Sequence, residues 1–173
     1  MKQIYLDNAA TTSVRPEVVE EMIKVLRADF GNPSSTYSVG RHSKALIENA
    51  RKSIAKQFNV SSSEIVFTSC GTEGNNWIIR SAVRDLGVKR IITTKIEHHC
   101  TLYSIQQMAK EYGTEIQYVN ILPNSEIDYN QLEELLKEDV PTLVSLMHVN
   151  NEVGTILDLK RVADLAQQYG ALF

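Results

Sequence analysis

The feature that most constrains this chain is the regular exchange of short apolar runs with longer amphipathic ones from Glu64 onward. Strand-like runs fall near 65–68, 90–94, 115–119 and 142–148, and helical periodicities fall near 73–86, 101–112, 130–138 and 159–169. Gly87, Gly113 and Gly170 each stand just past a helical run, where a left-handed residue ends a helix, and Asp128 with Gln131 has the spacing of a capping box. Strands that alternate with helices bury both of their faces, so the expected fold class is α/β, a mostly parallel sheet flanked by helices with right-handed crossovers. Ala171-Leu172-Phe173 reads as the start of a further buried strand, and on that ground the chain is expected to be an N-terminal portion of a longer protein.

The region before this alternation reads differently. Ile4-Tyr5-Leu6 is a short extended segment, and Asp7 to Thr12 has no apolar periodicity to bury. Arg15 and Pro16 open a helix whose apolar face is Val18, Val19, Met22, Ile23, Val25 and Leu26, with Gly31 as its expected stop. After the turn Asn32-Pro33-Ser34-Ser35, a long amphipathic helix carries Ala45, Leu46, Ala50, Ile54 and Phe58, with Glu48 one turn from Lys52. We therefore divide the chain into a helical segment, 1–60, and an α/β part, 61–173.

Charge and cysteine usage narrow the partners. The chain of 173 residues carries 18 Lys plus Arg against 21 Asp plus Glu, a net charge of −3, with no basic block of the kind that marks a nucleic-acid surface. No apolar run approaches the roughly 20 residues of a membrane span, and MKQIYLDN lacks the apolar core of a signal peptide, so a cytoplasmic protein is expected. Cys70 and Cys100 do not form a C-x-x-C pair and are too few for a disulfide framework, which makes reduced thiols the expectation.

In a parallel sheet, ligands collect beyond the carboxyl ends of the strands, which points to three loops. The first is Ser69-Cys70-Gly71-Thr72, where a strand-like run turns into a helix. The first N–H groups of that helix have no intrahelical acceptor, and the dipole favours an anion there; Gly71 permits close approach and Thr72 adds a hydroxyl. The same residues also suit an ordinary N-cap. The second loop, Lys95 to Cys100, is dense in proton-moving and metal-ligating groups. Neighbouring residues of an extended segment point to opposite sides, and no second ligand cluster with zinc spacing occurs, so no metal is expected. A single histidine facing a ligand, by stacking or by proton transfer, competes with a histidine that only caps the next helix. The third loop, Met147 to Thr155, puts Asn150 beside Asn151; the pair suits a turn, and strand alternation allows only one of them to face a ligand without saying which.

Five stretches in this order, LDNAATT (6–12), GNPSS (31–35), FTSCGTEGNN (67–76), EHH (97–99) and MHVNNEVGT (147–155), resemble the N-terminal part of cysteine desulfurases of the NifS/IscS type, within the class V aminotransferase family. The resemblance covers essentially the whole chain. It implies the large domain of a fold-type I enzyme, pyridoxal 5'-phosphate as cofactor, a homodimer, L-cysteine as substrate and a sulfur-acceptor protein as partner, with no direct role for nucleic acid or membrane. The implied reaction converts cysteine to alanine while sulfur passes to an enzyme cysteine as a persulfide, bound for iron–sulfur cluster assembly, tRNA thiolation or another pathway. By the same resemblance Gly71 and Thr72 hold the cofactor phosphate, His98 stacks on its ring and acts in catalysis, and Asn151 contacts its phenolic oxygen. Neither Cys70 nor Cys100 matches the sulfur-accepting cysteine. The lysine that bonds the cofactor, the acidic partner of its ring nitrogen and that cysteine are implied beyond Phe173, so this chain alone is expected to be inactive. Two other readings remain: another class V enzyme, such as a selenocysteine lyase or an aminotransferase, and a non-catalytic binding module.

Overall fold

The computed structural model describes residues 4–173. Contacts divide the chain into a unit ending at Phe67 and a unit from Thr68 to Phe173.

In the first unit Arg15 is the N-cap of α1 (Pro16–Ala28) and Pro16 takes the first helical position, where its missing N–H costs nothing. The helix stops at Ala28, with Asp29 as C-cap, before the expected stop at Gly31. Gly31 is instead needed for a close approach: a Cβ there would lie 2.4 Å from the Val39 carbonyl oxygen. Gly40 is held in the same way, its missing Cβ 2.5 Å from the Asn32 carbonyl oxygen, so the GNPSS turn is packed against the start of α2 (Ser38–Phe58). The apolar stripe expected to be buried on α2 is not: Phe58 is 71% exposed, and the buried positions are Gly40, Ser43 and Ala55. Nor does α1 bury any residue. Two helices and the short 3-10 turn Ser62–Glu64 offer too little surface to cover both stripes. Glu48 pairs with Arg51 at 3.4 Å rather than with Lys52.

Residues 65–68, expected as the first strand, form none. A strand is defined by its ladder, and no ladder reaches these residues; Val66 and Phe67 stay 56% and 48% exposed. Arg51 donates to the Ile65 carbonyl, and its guanidinium lies 4.8 Å from the centre of the Phe67 ring.

The second unit carries the α/β core. α3 (Gly71–Arg84), β1 (Arg90–Thr93), α4 (His99–Tyr112), β2 (Glu115–Tyr118), α5 (Tyr129–Leu136), β3 (Thr142–Val144) and α6 (Leu159–Gln168) follow in order. The three strands are parallel in the order β2-β1-β3, with Ile91 beside Ile116 and Leu143. Leu172 extends the sheet beyond β3 by a parallel bridge to Leu143, as the apolar run at 171–173 implies. Alternation across β1 splits the core in two. Ile91 packs with Ile79, Val83, Ile105 and Met108 of α3 and α4, and Ile92 packs with Leu132, Leu136, Val162 and Ala166 of α5 and α6.

Arg90 is fully buried at the start of β1, where Glu138 and Thr142 take its guanidinium. Gly87, Gly113 and Gly170 all have positive φ, as helix stops require. The expected capping box of α5 forms only in part. Asp128 accepts from the Asn130 and Gln131 N–H groups, but Gln131 turns away to accept from the Asn120 N–H at 2.6 Å. β3 ends at Val144 rather than near 148, because beyond Ser145, whose N–H still donates to the Ile92 carbonyl, β1 offers no further rung.

Candidate functional site

The three loops expected to matter are joined to one another by side chains that come from their own sequence. Helix α3 begins at Gly71 with Cys70 as N-cap and no side-chain hydrogen bond closing its first turn. Among the described residues the N–H groups of Gly71, Thr72 and Glu73 find no backbone acceptor, whereas Gly74 already donates to the Cys70 carbonyl. Glu73 folds back so that its carboxylate accepts the Ser69 N–H at 2.6 Å. The Ser69 hydroxyl and then that N–H hold the Glu73 carboxyl below its ordinary range. Cys70 shows what the turn attracts: the Glu73 N–H, then the Ser69 hydroxyl and the Thr72 N–H, draw its thiol below its ordinary value. A Cβ on Gly71 would meet nothing within 4 Å, and the residue has no positive φ. Neither packing nor backbone conformation therefore accounts for Gly71, and the space over it is open to a ligand.

His98 is the N-cap of α4, with its Nδ1 accepting the Cys100 N–H at 3.2 Å. The ring is thus the helix cap that the residue type allows, and it also lines a cleft of about 410 Å³ together with Asn75, Glu97, Thr101, Ser145 and His148. His99 is turned elsewhere, stacked on Tyr103 with ring centres 5.6 Å apart. Among the described residues no group of three or more His, Cys, Asp or Glu side chains is placed to hold a metal ion.

The two asparagines of the third loop separate cleanly. Asn150 is 4% exposed; its Nδ2 donates to the Ile96 carbonyl at 2.8 Å, and its Oδ1 accepts the N–H groups of Glu152 and Val153 at 2.8 and 3.0 Å. Every hydrogen bond it makes holds the loop. Asn151 is exposed and donates only to its neighbour Glu152, which leaves its second amide hydrogen and its Oδ1 available to a ligand. Asn151 and the Gly71-Thr72 turn do not line the cleft that His98 lines.

Three residues outside the expected cofactor contacts do the joining. Asn75, one turn into α3, donates to Thr101 Oγ1 at 3.1 Å and to Cys100 Sγ at 3.4 Å, so the first loop is tied to the start of α4. Glu97 Oε1 accepts the Met147 N–H at 2.8 Å and the Thr94 hydroxyl at 3.2 Å, which ties the second loop to the third. Burial pushes the Glu97 carboxyl above its ordinary range, against the pull of those two donors. Asn150 ties the same two loops a second time through Ile96. The available signals were the i, i+3 spacing of Asn75 from Thr72 and the acidic residue set between apolar Ile96 and the histidines.

A family model described as aminotransferase class-V matches residues 4–173. The chain is 41% identical over 174 residues to a protein named cysteine desulfurase IscS from Dictyoglomus turgidum, covering 99% of this chain and 44% of that protein. Among solved structures, a NifS-like protein superposes with a TM-score of 0.91 at 38% identity, covering 97% of this chain and 46% of the other. A structure described as SspA in complex with cysteine superposes at 0.86 with 31% identity, covering 96% and 48%. The chain thus spans less than half the length of each of these relatives.

Proposed function

Since the chain belongs to the aminotransferase class-V family, we propose that it forms one wall of the active site of a pyridoxal-phosphate-dependent cysteine desulfurase, built on the large domain of a fold-type I enzyme. The observation that carries this reading is the uncapped start of α3 at Gly71 and Thr72, open to a ligand and fastened through Asn75 to the α4 terminus where His98 stands. The residues present fit the cofactor. N–H groups at a helix start with no backbone acceptor, beside a glycine with open space over it, suit a phosphate. A flat ring at the edge of a cleft suits a pyridine face.

Pyridoxal phosphate, when bound, supplies an electron sink for bonds at the substrate α-carbon. The chain's own residues hold and orient. Gly71 and Thr72 take the phosphate, with the Thr72 hydroxyl adding a donor to a charged oxygen. His98 packs on the ring and is placed to move a proton at its free nitrogen. Asn151, whose amide makes a single exposed contact to Glu152, donates to the phenolic oxygen, and Asn150 keeps that loop in place. L-Cysteine as substrate, alanine as product, a persulfide on an enzyme cysteine, a sulfur-acceptor protein and a homodimer complete the proposal. The structural neighbour in complex with cysteine and the names of the other relatives support it.

Thr72→Ala in the full reading frame that contains this chain tests the phosphate turn. Loss of a hydrogen bond to a charged group costs roughly 1.5–3 kcal/mol, or about 10- to 150-fold in cofactor affinity. An unchanged affinity in a spectroscopic cofactor titration would return Thr72 to the role of a plain first-turn residue.

A further inference from the structure

The contacts around His98 fix more than the position of its ring. A backbone N–H can only donate, so the Cys100 N–H at 3.2 Å requires a lone pair on Nδ1. The neutral ring then carries its proton on Nε2. A second donor reaches the same nitrogen, since Cys100 Sγ stands 3.0 Å from Nδ1. The thiol hydrogen is free to point there because the sulfur is itself approached by a donor: Asn75 Nδ2 lies 3.4 Å from it, and an amide nitrogen has no lone pair to offer. The same amide nitrogen donates its second hydrogen to Thr101 Oγ1 at 3.1 Å. Thr101 Oγ1 is a poorer goal for the thiol hydrogen, at 3.9 Å. Three donors therefore run one way, from Asn75 through Cys100 to His98 Nδ1.

We propose that Asn75 and Cys100 are positioning residues that hold neutral His98 as its Nε2–H tautomer, so that His98 presents a donor, not an acceptor, at its free nitrogen. Resting on the reading given under Proposed function, the consequence is that neutral His98 meets the cofactor or substrate as a hydrogen-bond donor at Nε2, while its one lone pair stays at Nδ1 with Cys100. Sequence position alone does not reveal this. It follows from the coincidence of a helix cap, a thiol two residues on and an amide from a different helix.

The test is ring nitrogen NMR on the full reading frame, labelled with 15N-histidine and free of cofactor, with the His98 signals assigned by their loss in His98→Gln. In the wild type the account expects the Nε2–H pattern, with Nδ1 as acceptor. Cys100→Ala removes the thiol donor and Asn75→Asp turns it away, because a carboxylate accepts where the amide donated. Each should move the tautomer ratio toward Nδ1–H by roughly 2- to 12-fold, the worth of one hydrogen bond. Cys100→Ser keeps a donor and should keep the wild-type pattern. The near-isosteric Asn75→Asp separates donor direction from packing, and Cys100→Ala decides the matter alone if Asn75→Asp does not fold. An Nδ1–H or doubly protonated ring in the wild type, or ring shifts unmoved by Cys100→Ala, would overturn the proposal. Pyridoxal phosphate is then added to the wild-type protein. If the His98 signals stay still while the cofactor-free pattern is as expected, the cofactor reading fails and the positioning chain stands.

Discussion

Asn150 and Asn151 are chemically identical neighbours with opposite assignments, and replacing each by Ala separates stability from ligand binding. Asn150→Ala removes three hydrogen bonds, to the Ile96 carbonyl and from the Glu152 and Val153 N–H groups. They do not count equally. Glu152 and Val153 are exposed and can turn to water, whereas Ile96 is partly buried and its carbonyl loses its partner. One poorly replaced bond and two readily replaced ones suggest a loss of about 2 kcal/mol, within the range of roughly 1–3 for leaving a buried group unpaired. Asn151→Ala removes one exposed contact to Glu152, and its effect on stability should stay within about 0.5 kcal/mol. The assay is chemical denaturation of the full reading frame beside a cofactor titration. Asn150→Ala should lower the unfolding free energy, and Asn151→Ala should weaken the cofactor signal while leaving the midpoint in place. Equal destabilisation by both changes, or a stable Asn150→Ala protein, would refute the division of labour.

Two other perturbations follow from the same geometry. His98→Ala should alter the absorption spectrum of the bound cofactor and slow turnover, while His99→Ala, whose ring is stacked on Tyr103, should do much less; equal effects would show that no single ring serves the cleft. Glu97 gives a pH test. Burial raises its folded pKa above its ordinary 4.5, so its contribution is full below that value and is lost as pH rises through the raised pKa. Glu97→Gln keeps an acceptor for the Met147 N–H but has nothing to ionise, so its stability curve should be flatter than the wild type's just above pH 4.5. Parallel curves for the two proteins would mean that burial does not govern this carboxyl.

The helices and the sheet were legible because each rests on a local signal. Periodicity marked α3 to α6, and Gly87, Gly113 and Gly170 marked stops that positive φ confirms. The segment 65–68 misled because a β-favouring composition states what a residue tolerates, while a strand also needs a neighbour to pair with. The apolar stripes of α1 and α2 misled in a related way: an amphipathic face shows that a helix can be covered without supplying the cover. In the site, Gly71, Thr72 and His98 stood out through their residue types next to turns. Asn75 and Glu97 did not, because their work is done across loops, with Asn75 bonding 26 residues away and Glu97 bonding 50 residues away. The choice between Asn150 and Asn151 was open to strand alternation because both lie in a turn, where alternation has no hold.

The central claim, that this wall belongs to a desulfurase, is tested most directly by supplying the full reading frame with L-cysteine and measuring alanine. The account predicts alanine formed with pyridoxal phosphate and not without it, with sulfur recovered as protein-bound persulfide, and with the rate reduced in the Thr72→Ala and His98→Ala proteins. A protein that leaves cysteine intact while moving amino groups between amino acids and oxo acids would contradict it and favour the aminotransferase alternative.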